Sequence, residues 1–365
     1  MTNDTKNNQV RAAVQTAVMI KLGMDVHAAK VAVAVQIDGS LPQRSQMVAR
    51  ERLVEWIKRL RGKYPGAQCM SCYEAGPLGY CLHRELMAAG VTNYVVAPHA
   101  LDQRGRGQKT DRLDAQALVA NLDRYVGGNL RAMTVVNVPT EEQERARARV
   151  RLRQQLARTR RQLEARGRSA FLLHGVQLRG RWWAPKAWAE LEKTQPRWLL
   201  EEVRSLRDLA IHADEEERKL RAELEKAAPA QLPKAIGALT WVILTREIRD
   251  WSRFKNRRQV ASYTGLCPRI WQSGPRAGLT GSINKCGNRA VRQALLEAVW
   301  RLARYQPQYK PVAALANGGL NARQRRKHAT AAARRLGIDL WRLATKQATA
   351  ADLGLQVPGL VLPTQ

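Results

Sequence analysis

Two apolar runs sit close together near the start of the chain: Ala17-Val-Met-Ile-Lys-Leu-Gly-Met-Asp25 and, after a short polar turn, Lys30-Val-Ala-Val-Ala-Val-Gln-Ile37. The first stays apolar up to an acid. The second alternates with β-branched residues and is followed by the turn pair Asp38-Gly39. Both patterns predict strands, joined as a hairpin. Outward from this pair, residues 47–62 read as a helix, with Val48, Leu53, Ile57 and Leu60 on one side. Ala67–Tyr73 reads as a buried strand ending at Glu74, and Gly76-Pro-Leu-Gly79 opens a helix over Tyr80–Ala89. Asn93–Ala97 is a further strand, closed by Pro98, and a helix is expected over about Asp111–Leu122. Strands alternating with helices imply an α/β domain with a mixed sheet, over residues 17–135.

The chain then changes character. Over 140–228 proline is sparse, and Leu152, Leu156 and Leu163 share one helical stripe. A second stripe holds Val203, Leu206, Ala210 and Ala213, continuing to Leu220 and Leu224. Two long helices with a tryptophan-rich crossing (Trp182, Trp183, Trp188, Trp198) predict an antiparallel coiled-coil hairpin, with a plain helical bundle as the alternative. A third, mainly α region covers 229–347. It begins with a helical hairpin turning at Gly237, passes a Gly/Pro/Ser-rich stretch over Ser262–Ile283, and reaches an amphipathic helix over Asn288–Tyr305. The ends, 1–16 and 348–365, read as flexible termini.

Charge narrows the function. The 365 residues carry 62 Lys+Arg against 31 Asp+Glu, a net charge of +31. Between Arg145 and Arg168 ten arginines face a single acid, Glu164, and between Trp251 and Ile338 eighteen basic residues face only Glu297. Massing like charge does nothing for a fold, and arginine suits bidentate phosphate contacts, so a nucleic-acid partner is expected. Arg151, Arg153, Arg158, Arg160 and Arg161 in the first run are candidates for that contact. No apolar run approaches the roughly 20 residues of a membrane helix. Five cysteines (69, 72, 81, 267, 286) are too few and scattered for a disulfide scaffold, which predicts reduced thiols in a soluble cytoplasmic protein; with a nucleic-acid partner, a nucleoid-associated location is expected.

Four acids stand out by context. Asp25 and Glu74 end predicted strands, and Asp111 and Asp114 lie three apart, on one face of a helix. Like charges at that spacing repel unless a divalent cation sits between them, and carboxylates converging from two strands and a helix could hold Mg²⁺ or Mn²⁺. The alternative is a structural role, with Asp111 at a helix N-terminus and Asp114 paired with a base. Gly23-Met-Asp25-Val-His-Ala-Ala-Lys30, Tyr73-Glu74-Ala-Gly-Pro-Leu-Gly-Tyr80 and Lys109-Thr-Asp111-Arg-Leu-Asp114 together resemble the DEDD, RuvC-like domain of the IS one-ten family of insertion-sequence transposases. The resemblance implies an RNase H-like fold for residues 17–135, with Asp25, Glu74, Asp111 and Asp114 as the catalytic metal-binding tetrad.

In the third region, Ala261-Ser-Tyr-Thr-Gly-Leu-Cys-Pro268, Trp271-Gln-Ser273-Gly274 and Gly281-Ser-Ile-Asn-Lys285-Cys-Gly287-Asn-Arg289 resemble the C-terminal transposase domain of the same family. By that match Ser273 is the catalytic serine, expected to form a phosphoserine link to DNA. Arg269, Arg276, Lys285, Arg289 and Arg292 surround it in sequence and could stabilise developing phosphate charge. Two departures are noted. Gln272 stands where the family usually has serine, and Asn284 stands where it has Thr or Ser, which leaves Ser282 as a rival.

The resemblance implies an RNA-guided DNA recombinase, directed by a structured noncoding RNA, acting as a homo-oligomer with a composite active site. Rival readings are a Holliday-junction resolvase, a site-specific DNA invertase and a non-catalytic nucleic-acid-binding protein. Of the weaker signals, Cys69-Met-Ser-Cys72 reads as core, His27 as a surface turn or an outer-sphere group near Asp25, and Trp182 and Trp183 as core or as base-stacking residues.

Overall fold

The computed structural model describes residues 17–98, 111–230, 232, 234–270 and 280–356. The chain divides into two compact units, Met1–Pro139 and Thr140–Gln365.

The N-terminal unit contains β1 (Met19–Val26), β2 (Lys30–Ile37), β3 (Gln46–Ala49), α1 (Leu53–Gly62), β4 (Gln68–Glu74), α2 (Cys81–Ala88), β5 (Thr92–Val96) and α3 (Asp111–Val126). The strand order is β3-β2-β1-β4-β5. β1, β2 and β3 pair antiparallel, whereas β4 is parallel to β1 and β5 to β4. The mixed sheet expected from the sequence is therefore present. β1 and β2 are buried on both faces, which is why they read as near-continuous apolar runs. One face packs Ile20, Leu22, Met24, Val31, Val33 and Val35 against Leu53 and Ile57 of α1 and Leu82 and Leu86 of α2. The other face carries α3.

The helix expected over 47–62 is shorter in the structure. Residues 46–49 form β3, with Val48 opposite Val31, and the α-helix begins only at Leu53. The outer edge of β2 has backbone groups that need partners, and β3 satisfies them. Val48 belongs to the same core as Leu53 and Ile57, so a helical stripe and a strand-then-helix gave the same apolar spacing.

The C-terminal unit opens with α4 (Glu141–Leu173), capped by Thr140 and Gln143 in a reciprocal capping box. α5 (Pro185–Thr194) and α6 (Arg197–Lys226) follow. Ion pairs Arg153–Glu217 and Arg160–Asp214, at 2.9 and 3.3 Å, and the pair Arg149–Glu223 show α4 and α6 running antiparallel. At one end Phe171, Trp182, Trp183, Trp188, Leu199, Leu200 and Val203 form a closed core. Gly167 admits Trp182 there, since a Cβ would stand 2.0 Å from its ring.

At the other end Val150, Leu220 and Leu224 join the core of the remaining helices, so residues 140–228 and 229–347 fold into one unit. Those helices are α7 (Ala238–Ile248), α8 (Arg257–Thr264), α9 (Arg289–Tyr305), α10 (Ala313–Ala316), α11 (Ala322–Ala344) and α12 (Ala350–Leu353). Between α8 and α9 lie β6 (Pro268–Ile270) and β7 (Thr280–Ile283), paired antiparallel. The hairpin expected around Gly237 is instead one helix, α7, for which Gly237 is the N-cap in an extended conformation. The amphipathic reading of α9 holds: Val291, Leu295, Ala298, Val299 and Leu302 are all buried. The expected fraying after 348 does not extend to residues 349–356. Thr349 caps α12, Leu355 is buried, and the Gln306 side chain bonds both the N–H and the carbonyl of Gln356.

Candidate active site

In the N-terminal unit the carboxylates are positioned by how α3 lies on the sheet. Alternation along β1 turns Lys21, Gly23 and Asp25 toward the same face. Lys21 Nζ pairs with Asp123 of α3 at 2.5 Å. At Gly23 the helix comes so close that a Cβ would stand 2.2 Å from the Ala115 carbonyl oxygen and 2.3 Å from the Val119 nitrogen. Ala32 and Ala34 of β2 complete this floor of small residues beneath Ala115 and Val119. On β4, Cys72 Sγ donates to the Leu118 carbonyl at 3.3 Å, so Cys72, and by alternation Glu74, belong to the α3 face. Asp25 and Glu74 are next to each other at the C-terminal ends of parallel strands, since Met24 is level with Tyr73.

The first turn of α3 thereby meets the end of β1. Oxygens of Asp25 and Asp111 and a ring nitrogen of His27 lie within 4.8 Å of one another. His27 Nε2 is 3.4 Å from Asp25 Oδ2 and 3.3 Å from Asp111 Oδ2. Partial burial pushes the Asp25 pKa above its usual value; His27 opposes the shift, while the charges of Asp111 and Asp114 add to it. The cluster is thus short of positive charge, as oxygen-rich sites for hard divalent cations are. The structure brings Asp25 and Asp111 together and holds Asp114 within electrostatic reach. Glu74 stands at the same end of the sheet, outside the 4.8 Å group. His27 is the residue whose place in the group the sequence understated. Its two-residue spacing from Asp25 across a turn was the available signal.

Cys69 and Cys72 point to opposite faces of β4, Cys69 into the α1/α2 core and Cys72 toward α3, so they cannot share a metal. Burial pushes the Cys69 thiol up to about 11.

In the C-terminal unit Ser273 and Arg276 lie outside the described residues. The motifs flanking them form a tight backbone lock. α8 ends at Gly265 with φ of 65°, a left-handed turn that glycine adopts without strain. Gly287 presses against it: a Cβ there would stand 2.2 Å from the Gly265 nitrogen and 2.4 Å from the Tyr263 carbonyl oxygen. Asn288 N–H donates to the Tyr263 carbonyl at 2.6 Å, and Lys285 N–H to that of Gly265 at 3.2 Å. Arg292 Nη1 donates to the Thr264 and Lys285 carbonyls at 3.0 and 3.4 Å.

Beneath the lock lies Glu247, 1% exposed. Its carboxylate accepts from Asn288 Nδ2 at 2.8 Å and from Arg151 Nε at 3.2 Å, with Arg147 Nε at 3.6 Å. Tyr263 OH donates to its carbonyl at 2.6 Å. The Gly-Asn-Arg run is therefore held by α7 and by an arginine of α4. Sequence reading missed Glu247, which stands at the end of a mostly apolar helix with no motif around it.

The basic candidates divide accordingly. Arg269, Lys285, Arg289, Arg158 and Arg161 are exposed. Arg292 braces the lock and Arg151 reaches Glu247. Arg153 and Arg160 are corrected: their side chains are 12% and 14% exposed and pair with Glu217, Glu164 and Asp214. The arginine run that lacked acids in sequence finds them on α6. Trp182 and Trp183 are likewise core residues, 1% and 3% exposed, donating to the carbonyl and carboxylate of Glu164 at 3.0 and 2.8 Å.

Residues 232–313, from just before α7 to the end of α9 and the turn beyond it, match the family described as Transposase IS116/IS110/IS902. The chain is 31% identical over 262 residues to "Putative transposase y4rJ" of Sinorhizobium fredii, covering 64% of this chain and 65% of that protein. It is 27% identical over 242 residues to "Transposase for insertion sequence element IS1111A" of Coxiella burnetii, covering 61% and 63%. The chain is thus similar to transposases of the IS116/IS110/IS902 family. It spans just under two thirds of the length of these relatives. The family match contains Glu247, Gly265, Gly287, Asn288 and Arg292, so the backbone lock lies inside the family's domain. Asp25, His27 and Asp111 lie outside it. Among the described residues, no helix is long and apolar enough to cross a membrane.

Proposed function

We propose that the chain is a DNA transposase that exchanges strands through Ser273, assisted by divalent metal at Asp25, Glu74, Asp111 and Asp114. The observation that carries this reading is the convergence of Asp25, His27 and Asp111 where α3 meets the end of β1, in a chain whose residues 232–313 match a transposase family. The three-strand antiparallel meander followed by two parallel strands supports a RuvC-like, RNase H-like assignment. The donor set fits a magnesium or manganese ion: carboxylate oxygens in excess, partly exposed, and mutually repulsive without a cation.

Such an ion, when bound, supplies Lewis-acid stabilisation of charge on phosphodiester oxygens. The remaining work falls to the chain. Asp25 and Asp111 hold the ligand oxygens on two rigid elements, and His27 orients both carboxylates. The Ser273 oxygen forms a bond to a DNA phosphorus as the scissile P–O bond breaks. The proton lost by the serine ends on the departing DNA hydroxyl. Attack by a second DNA hydroxyl reverses these steps, rejoins the strand and frees the serine, with no net change in bond type. Exposed Arg269, Lys285 and Arg289 would stabilise phosphate charge.

Target choice by a structured noncoding RNA belongs to the same proposal, with exposed Arg158 and Arg161 on α4 as contacts. So does assembly of more than one copy in the cytoplasm.

A covalent-trapping assay tests the reading. Protein, Mg²⁺, RNA transcribed from the same locus and labelled donor and target DNA are resolved on denaturing gels. A protein–DNA adduct lost in both Ser273→Ala and Asp25→Asn is expected. Cleavage without adduct that survives Ser273→Ala would make the protein a metal nuclease of the resolvase kind.

A further inference from the structure

The C-terminal unit has a cavity of about 930 Å³ between α11 and the β6/β7 pair. Arg323, Arg326, Lys327 and Arg334 line it from α11, and Gly281 and Ser282 from β7. Its base is apolar, formed by Leu266, Ile283 and Ile338. The lining positions of α11 recur at three, four and seven residues, so they form one face of the helix. Another face of α11 buries Ala329, Ala332, Ala333 and Leu336 in the core.

The charge on this face works against the fold. Arg323, Arg325, Arg326 and Lys327 crowd the first two turns of α11, where the helix dipole disfavours cations, and no acid stands in the first turn. Arg323 also repels Arg326 and Lys327 at helical contact spacing. Arg335 is paired with Asp339 at 3.0 Å and Arg325 lies over the Trp300 ring. Among the described residues, no acid pairs with Arg323, Arg326, Lys327 or Arg334. Such a face becomes favourable when a polyanion lies along it.

We infer that this groove holds one strand of a DNA backbone, its phosphates against α11 and its sugars over the apolar base. From Arg323 to Arg334 the helix rises about 16 Å, the axial span of roughly five phosphates of one strand at 3.4 Å each. DNA rather than RNA is the expected occupant on the DNA-transposase reading, and the experiment below separates the two. β6 and β7 flank Ser273 in sequence, so DNA laid in the groove runs beside the two strands that border the proposed nucleophile along the chain. The inference rests on the DNA-transposase reading for its ligand but not on the chemistry at Ser273 or Asp25.

Binding of the full chain to a labelled 30-base-pair DNA duplex is measured by anisotropy, in EDTA, over a range of salt. Each phosphate contact contributes about 0.9 to the slope of log K against log salt. The variant Arg323→Gln/Arg326→Gln/Lys327→Gln/Arg334→Gln should lower that slope by about 3–4 and weaken binding at least about 100-fold at 0.1 M salt. Its melting temperature should hold or rise, because repulsion within α11 is relieved. The smaller variant Arg323→Gln/Arg326→Gln, at two exposed positions, should lower the slope by about 2. A control with Arg44, Arg52, Lys58 and Lys63 changed to Gln removes the same charge from the exposed surface of the N-terminal unit and should keep the wild-type slope. An unchanged slope in the groove variants overturns the inference. So does an equal fall in the control, which would mean that binding follows net charge, and so does a loss confined to an RNA duplex. EDTA silences metal-dependent chemistry, so failure here and failure of the trapping assay are separate results.

Discussion

Gly23→Ala should uncouple the helix α3 from the strand β1. The added Cβ would meet the Ala115 carbonyl oxygen at 2.2 Å and the Val119 nitrogen at 2.3 Å. Both are backbone atoms of α3, so no side chain can rotate away. Ordinary contact at about 3.4 Å requires the helix to move about 1.2 Å. Its far end is tied by Lys21–Asp123 and its middle by Cys72 Sγ to the Leu118 carbonyl. The displacement therefore falls on the first turn, which carries Asp111 and Asp114. Overpacking of this kind costs about 1–3 kcal/mol, and a backbone-to-backbone clash belongs at the upper end. At roughly 3–4 °C per kcal/mol for a unit of this size, the N-terminal transition should fall by about 10 °C. Ligand oxygens moved by about 1 Å no longer fit the narrow geometry of Mg²⁺, and strand cleavage should fall roughly 100-fold. Thermal melts with and without Mg²⁺, together with cleavage of labelled DNA well below the transition, read both effects. Wild-type melting and cleavage would refute the seating of α3 on Gly23. A lower melting temperature with full activity would keep the seating and remove the carboxylates from the chemistry.

Other expectations follow from single contacts. Glu247→Ala leaves Arg147, Arg151 and Asn288 without their shared carboxylate; a loss of about 3 kcal/mol in chemical denaturation is expected, and less than 1 would mean that the lock stands without it. Trp183→Ala should cost about 3–5 kcal/mol while leaving nucleic-acid affinity at wild-type salt dependence, since the ring is core; a selective loss of single-strand binding would restore the stacking role. The Lys21 ammonium holds the Asp123 carboxyl below its usual range, so its contribution is full above the unfolded carboxylate pKa of about 3.9 and is lost as pH falls through the lowered folded value. Asp123→Asn should therefore melt lower than wild type at neutral pH and converge with it toward pH 3, whereas parallel melting curves would contradict the pairing.

The N-terminal fold was legible because its central strands are buried on both faces. Continuous apolar runs such as Val31–Val35 have no other stable placement, and the acids at the ends of β1 and β4 mark where the sheet meets solvent. The short β3 was hidden because Val48 serves the same core whether residues 46–49 are helical or extended. What selects the strand is the open edge of β2, a requirement set by a distant segment. His27 was half visible: its spacing from Asp25 was evident, but only the folded turn after β1 brings its ring to Asp111 as well.

The arginine run on α4 shows why charge counted along a sequence overstates what reaches solvent. Ten arginines with one acid between Arg145 and Arg168 suggest a nucleic-acid surface only if the partner helix is ignored. α6 returns antiparallel and supplies Asp214, Glu217 and Glu223, so Arg160, Arg153 and Arg149 each find a carboxylate. What remains for a polyanion is the residue left after pairing. On α11 that residue is large, because the helices packed against it, α8, α9 and α10, offer the basic stripe no acid within reach among the described residues. The same sequence signal, a run of bases without acids, thus means cohesion between helices in one place and an open cationic face in another. The distinction lies in which helix packs opposite, and the fold alone supplies it.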